Sequence, residues 1–328
     1  MPPGTPREGS ASPVCLVAKM LYILVLGSAA GGGFPQWNSN DTASQRARAG
    51  KIPFRTQSSL AVSADATNWV LLNASPDIRQ QINDNRQLQP GPDGPKRASP
   101  IDAVVLTNAD VDHVAGLLSL RESQPFSLYA HRRVLDVLGQ NSVFNVLNPE
   151  FVPRRTLPPD EPYELRDAAD RPLNLSITAF AVPGKAPLWC EDEYDASLGT
   201  REGDTVGLEI CAGAGRASMF YIPGCAAMTE RLAARLRDAT LVFFDGTLWS
   251  DDEMILQGVG KKTGRRMGHM SCSGEGGSMA AFARLDVKRK IFIHINNTNP
   301  LLLPESAERA EAEAQGWEIA YDGMELAL

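Results

Sequence analysis

The sharpest chemical signal in the sequence is a stretch of seven residues, Thr107-Asn108-Ala109-Asp110-Val111-Asp112-His113. It begins where a run that predicts a strand, Ala103–Thr107, ends, and an apolar run that predicts a helix, Val114–Arg121, follows it. Carboxylates and an imidazole at the junction of a strand and a helix are suited to binding a metal ion. The alternative is that Asp112 only caps the helix.

Short β-branched or apolar runs recur along the chain and predict further strands. They are Tyr22–Leu26, Ser59–Ser63, Trp69–Asn73, Leu173–Phe180, Val206–Cys211, Ser218–Ile222, Thr240–Phe244 and Lys290–Ile295. Helical patterns lie between some of them, at Arg132–Leu138, Thr229–Leu236 and Pro304–Ala314. Runs of strands with interspersed helices predict two sheets packed face to face with helices outside. This is a four-layered αββα sandwich of the α/β (α+β) class.

The amino-acid composition and the net charge limit the classes of function that the chain can have. Hydrophobic residues make up 43% of the 328 residues and charged residues 22%, which is typical of a globular protein. The formal net charge of -7 argues against nucleic acid as a partner, and no apolar run approaches the roughly 20 residues that span a bilayer. The five cysteines show no C-x-x-C spacing, which favours reduced thiols and a cytoplasmic location.

The N-terminal residues differ in composition from the rest. Residues 1–19 are rich in Pro, Gly and Ser, and we expect a disordered or non-native extension before a single domain over residues 20–328. The apolar run Leu21–Leu26 has two interpretations. It is either the short core of a secretory signal peptide or a buried first strand, and we favour the strand.

The stretch at residues 107–113 resembles the H-x-H-x-D-H motif of the metallo-β-lactamase superfamily, in which the first two histidines bind one metal and the Asp-His pair binds a second. The four motif positions are Asn108, Asp110, Asp112 and His113. A further ligand of the first metal follows a Pro-Gly turn in that superfamily, and here the residue is Lys185. Every imidazole of the first site is therefore missing.

The second site keeps its ligand types. The resemblance implies Asp245, at the end of a hydrophobic strand, and His294, at the end of a later one, as partners of Asp112 and His113. A site with two histidines and carboxylates suits one divalent metal, with Fe(II) favoured, although ligand type alone does not fix the metal. His269 occupies the place of a non-ligand histidine and, with Asp110, is a candidate for moving protons. His131 lies outside these motifs and is interpreted as structural.

Long identical stretches give a more specific resemblance, to the PqqB family of this superfamily. They are Gly27–Asn38, Arg55–Ser59, Leu72–Arg79, Asp112–Glu122, Phe244–Thr247, Gly258–Gly260, Met267–His269 and His294–Pro300. Many members carry C-x-C-x-x-C after Gln-Trp-Asn to bind structural zinc. Here Ser39, Asp41 and Ser44 stand at those positions, so we expect no N-terminal structural zinc.

The resemblance implies a place in the biosynthesis of pyrroloquinoline quinone (PQQ). We expect an iron- and O₂-dependent hydroxylase that acts on the tyrosine moiety of a small peptide-derived Glu–Tyr precursor, with other proteins of the pathway as possible partners. The first alternative is a carrier that helps to move PQQ or its precursor to the periplasm, and the second is a metal-dependent hydrolase. The candidates for substrate binding are Arg55, Asn73, Arg79, Lys185 and Asn297.

Overall fold

Strand β1 (Tyr22–Gly27) belongs to the first of two seven-stranded sheets in a computed structural model, which describes residues 20–187, 202–213 and 218–328. In spatial order this sheet contains β14 (Glu325–Ala327), β1, β2 (Ser59–Ser63), β3 (Trp69–Leu72), β4 (Ile101–Leu106), β5 (Ser127–Ala130) and β6 (Arg154–Thr156). The pairs from β14 to β3 are antiparallel, and those from β3 to β6 are parallel.

The second sheet has the same mixture of strand directions. In spatial order it contains β13 (Trp317–Ile319), β12 (Lys290–Ile293), β11 (Leu241–Asp245), β10 (Ser218–Ile222), β9 (Val206–Ala212), β8 (Pro172–Ala181) and β7 (Tyr163–Arg166). Strands β10 to β13 run parallel, and β7 to β10 are antiparallel. The parallel strands of both sheets lead into the loops that carry the predicted ligands.

Apolar side chains divide among three clusters that define four layers. One cluster fills the space between the sheets, and it joins Val62 and Val105 of the first sheet to Leu208 and Phe243 of the second. The other two clusters cover the outer faces beneath the helices. The helices are α1 (Thr42–Arg48), α2 (Ile78–Asp84), α3 (Val111–Val114), α4 (Arg132–Gln140), α5 (Glu230–Leu236), α6 (Glu253–Leu256), α7 (Ser278–Phe282) and α8 (Ala307–Ala314). The predicted αββα sandwich is confirmed.

The helix predicted at Val114–Arg121 is wrong in its bounds. The α-helical turn α3 ends at Val114, and the backbone continues as a 3₁₀ helix, Ala115–Leu120. Gly116 explains the change, because its amide donates to the Ala74 carbonyl at 2.9 Å and a Cβ there would lie 2.1 Å from the Ser75 carbonyl oxygen. Asp112 lies inside α3 rather than at its N-cap, so the interpretation of Asp112 as a helix cap is also wrong.

The interpretation of the first apolar run as a strand is confirmed, because β1 is buried and pairs with β2 and β14. Residues 1–19 lie outside the described residues, as do Cys15 and Cys190. The other cysteines, Cys211, Cys225 and Cys272, are free thiols. No helix within the described ranges is long and apolar enough to cross a bilayer.

Candidate metal centre

The candidate centre lies where parallel strands of both sheets end. In the first sheet, β4 is followed by Asn108 and by α3 with its Asp112 and His113. In the second sheet, Asp245 ends β11 and His294 follows β12 directly. Loops at the carboxyl ends of parallel strands commonly form binding sites. His294 has a φ of 59°, a conformation that is uncommon for a residue other than glycine and that often marks a functional position.

Three predicted ligands meet at one point. Asp112, His113 and His294 each offer a ligand atom, and these atoms lie within 4.8 Å of one another. Asp112 Oδ2 is 3.1 Å from His294 Nε2 and 3.8 Å from His113 Nε2. The buried Nε2 of His113 has no hydrogen-bond partner among the described residues. A buried polar atom without a partner is costly, and a metal ion between these three side chains would satisfy it. The residues therefore fit a divalent metal.

Asn108 fixes the orientation of His113. Its Oδ1 lies 2.7 Å from His113 Nδ1, and an amide oxygen can only accept a hydrogen bond. His113 Nδ1 must therefore carry the proton, which leaves the lone pair of a neutral ring on Nε2, facing Asp112. Asn108 stands at the first histidine position of the superfamily motif. In this chain the residue there positions a ligand of the second site.

Thr247 plays the same part for His294. Its hydroxyl lies 2.6 Å from Asp245 Oδ1, to which it donates because an ionised carboxylate only accepts. Its oxygen then accepts from His294 Nδ1 at 2.8 Å and leaves Nε2 facing Asp112. Thr247 was not among the predicted site residues. The available signals were its place two residues after Asp245 and its membership of the Phe244–Thr247 stretch that resembles the family.

Both carboxylate oxygens of Asp245 accept hydrogen bonds from neighbouring residues. Its Oδ1 accepts from the amide and hydroxyl of Thr247, and its Oδ2 accepts from the Cys225 amide at 2.8 Å and from His269 Nδ1 at 2.7 Å. The structure places Asp245 in a second trio with His269 and His294, rather than in the trio of Asp112 and His113. The four predicted ligands thus fall into two groups that share His294, whose ring stacks on that of His269 at 5.2 Å.

The electrostatics favour an ionised Asp112. Burial raises the pKa of Asp112, but interaction with His113 and the hydrogen bond from His294 outweigh it and hold the pKa well below its usual range. Burial lowers the pKa of His113. Burial also opposes protonation of His294, yet its hydrogen bond to Asp112 and the charges of Asp112 and Asp245 give a net raised pKa.

These groups face a pocket of about 450 Å³. Asp110, Asp112, His113, His269 and His294 line it, together with Gln36, Lys185, Lys262 and Met267. Lys185 Nζ lies 3.4 Å from Asp110 Oδ1 across the pocket wall, and the two side chains are 20% and 22% exposed. The volume is within the range of small-molecule sites. The pocket therefore joins the metal trio to a pair of opposite charges.

The other predicted substrate-binding residues lie elsewhere. Arg55 is buried and donates to Ser28 Oγ and to the Ala320 carbonyl, outside the pocket lining. Asn73 lies beneath the centre, where its Oδ1 accepts from the Thr107 amide at 2.9 Å. Arg79 is exposed on α2. Asn297 donates a hydrogen bond to Gln36 Oε1, and Gln36 in turn lines the pocket. His131, interpreted as structural, caps α4 by accepting from the Arg133 amide.

The loop that lacks the zinc cysteines is held by hydrogen bonds. Asp41 Oδ1 accepts from the Ser44 amide at 2.8 Å, and Oδ2 accepts from the hydroxyls of Ser44 and Ser39. Asp41 thereby caps α1. The three residues at the cysteine positions thus still converge, with a carboxylate at their centre.

Comparison with known proteins agrees with this geometry. The model of the β-lactamase superfamily domain matches residues 68–295. Coenzyme PQQ synthesis protein B of Gluconacetobacter diazotrophicus is 53% identical over 309 residues, which cover 94% of this chain and 99% of the relative. The chain belongs to the coenzyme PQQ synthesis protein B family. The protein of the same name from Xanthomonas axonopodis pv. citri is 54% identical over 310 residues, covering 94% and 100% of the two chains.

Solved structures give the same result for the fold. Zinc-bound PqqB from Methylobacterium extorquens is 50% identical to this chain, with a TM-score of 0.87 over 94% of this chain and 100% of that one. A diphosphatase of the PhnP family is 20% identical, with a TM-score of 0.66 over 95% and 98%, and that likeness concerns the fold alone. Together with the β-lactamase superfamily fold and the convergent ligand atoms, the zinc-bound relative supports binding of a divalent metal.

Proposed function

We propose that this protein takes part in PQQ synthesis as a non-haem iron-dependent oxygenase that hydroxylates the tyrosine moiety of a peptide-derived Glu–Tyr precursor. One observation carries the proposal. Asp112, His113 and His294 converge in a small-molecule pocket with a buried imidazole nitrogen that lacks any other partner among the described residues. Two imidazoles and one carboxylate are the ligand set of non-haem Fe(II) oxygenases.

Iron bound by these residues would supply redox chemistry with O₂ at its open coordination positions. The protein's own groups would prepare the site. Asn108 and Thr247 hold the two imidazoles with Nε2 directed at Asp112, and such supporting hydrogen bonds typically change metal affinity by about 10–100-fold.

The proton-transfer role falls to His269. Its Nδ1 donates to Asp245 Oδ2 at 2.7 Å, which fixes the ring and leaves Nε2 as the nitrogen that can exchange a proton in the pocket. A histidine ring nitrogen held within reach of the substrate can accept or donate a proton in general acid–base catalysis. Asp110, the other candidate from the sequence, is engaged with Lys185.

The residues of the pocket fit a dinuclear metal hydrolase less well than an oxygenase. Such an enzyme uses two metals to activate a bridging hydroxide, and the first metal needs imidazole ligands. Asn108, Asp110 and Lys185 stand in their place, and an ammonium group repels a cation. A carrier, in contrast, would need the pocket without any redox metal.

The test is oxygen consumption by anaerobically purified, iron-loaded protein with the cross-linked Glu–Tyr compound. We expect consumption that depends on both iron and substrate. His269→Ala should keep the iron and lose turnover, whereas His294→Ala should lose both. Substrate binding with no iron-dependent consumption of oxygen would favour the carrier.

A further inference from the structure

Two opposite charges occupy positions that hold metal ligands elsewhere in the superfamily. Asp110 is at the second histidine position of the motif, and Lys185 is at the position after the Pro-Gly turn. The structure brings them together at 3.4 Å in the wall of the pocket that contains the metal trio. An anion and a cation have therefore replaced two imidazoles at one place, next to the site where we expect the substrate to react.

We propose that the Lys185–Asp110 pair binds the zwitterionic end of an amino-acid substrate. Lys185 binds the α-carboxylate and Asp110 the α-ammonium group. The inference rests on the proposed function, because it concerns how the same pocket recognises the same substrate. It names the groups that position an aromatic amino acid with its ring toward Asp112, His113 and His294.

The geometry of the pair suits this role. Both side chains are about four-fifths buried and both line the pocket, so a ligand in the pocket can reach them. The flexible four-carbon stem of a lysine lets its ammonium group move aside while a ligand enters. The ligand then replaces one ion pair by two, and each new contact is a charge-assisted hydrogen bond.

The rest of the pocket wall agrees with a carboxylate-bearing ligand. Lys262 lines the same pocket, so two ammonium groups face it although the whole chain carries a net charge of -7. The predicted alternatives for substrate binding do not compete for this role. Arg55 is buried behind Ser28, and Arg79 is exposed on α2 away from the pocket lining.

The proposed role of the Lys185–Asp110 pair predicts how derivatives of tyrosine that lack one charge should bind. L-Tyrosine presents both charges, L-tyrosinamide lacks the carboxylate, and N-acetyl-L-tyrosine lacks the ammonium group. A contact between partly exposed charges is worth about 1 kcal/mol, which corresponds to about fivefold in affinity. Zinc-loaded protein, which cannot oxidise the ligand, should therefore bind tyrosine about fivefold more tightly than either derivative in ligand-observed NMR titrations.

Two variants assign each charge to its residue. Lys185→Met should abolish the preference for tyrosine over tyrosinamide and keep the preference over N-acetyltyrosine. Asp110→Asn should do the reverse. Lys288→Met and Asp93→Asn change the net charge by the same amounts at exposed positions, and both should keep both preferences. Thermal unfolding checks that each variant is folded.

Equal binding of the three ligands by the parent protein would overturn the proposal, and so would a Lys185→Met variant that weakens tyrosine and tyrosinamide by the same factor. These titrations need neither iron nor oxygen. The binding preferences can therefore fail while iron-dependent turnover persists, and they can hold while turnover fails, so the two proposals are tested separately.

Discussion

Replacement of Asn108 by alanine should weaken divalent-metal binding by about tenfold. The Asn108 amide oxygen accepts from His113 Nδ1 at 2.7 Å, and both side chains are buried. A buried donor that loses its acceptor costs about 1–3 kcal/mol, and each 1.4 kcal/mol is a factor of ten in affinity. Thr107 Oγ1 lies 3.4 Å from the same nitrogen and can take over part of the hydrogen bond. The loss should therefore fall near the lower end of that range.

The assay is a competition between the protein and a chromophoric chelator for Zn²⁺ or Co²⁺. Asn108→Asp keeps an acceptor at the same place and should retain the parent affinity. Asn83→Ala, at an exposed position of α2, should have no effect and serves as the matched control. An affinity of Asn108→Ala equal to that of the parent would refute the argument that Asn108 sets the tautomer of His113.

Three further predictions concern the metal. Purified protein should hold no structural zinc that resists mild chelation, because Ser39 and Asp41 replace thiolates. One equivalent of tightly bound zinc in the parent protein, lost in the Ser39→Ala, Asp41→Ala double variant, would contradict this. His113→Ala and His294→Ala should each abolish stoichiometric metal binding, measured by equilibrium dialysis, whereas His131→Ala should not; parent-like binding by either ligand variant would reject the assignment. Metal affinity should rise with pH above 6.5, because metal must displace the proton from His294, whose pKa is raised, and a flat pH profile in calorimetry would oppose this.

The fold was largely predictable because its strands are buried and short. Ser59–Ser63 and Ser218–Ile222 have the bounds that the sequence predicts. Strands β5, β6, β7, β13 and β14 were missed, since runs of three or four residues carry little periodicity. The helix after His113 was predicted with wrong bounds, because the close approach of Gly116 to Ser75 is a tertiary contact.

The site was predictable as a set of residue types but not as a geometry. The motif order selected Asp112, His113 and His294, which the structure brings together. The motif order could not show that Asp245 lies in a different group. Its position depends on the four hydrogen bonds that its buried carboxylate accepts. Thr247 was missed for the same reason, since a threonine carries no signal of its function until its partners are known.

The origin of the oxygen in the product ring distinguishes an oxygenase from a carrier or a hydrolase. Iron-loaded protein is mixed with ¹⁸O₂ and the cross-linked Glu–Tyr compound, and the product ring is analysed by mass spectrometry. We expect ¹⁸O in the ring, formed only when iron is present and Asp112, His113 and His294 are intact. Ring oxygen that comes only from water, or equal turnover without iron, would contradict it.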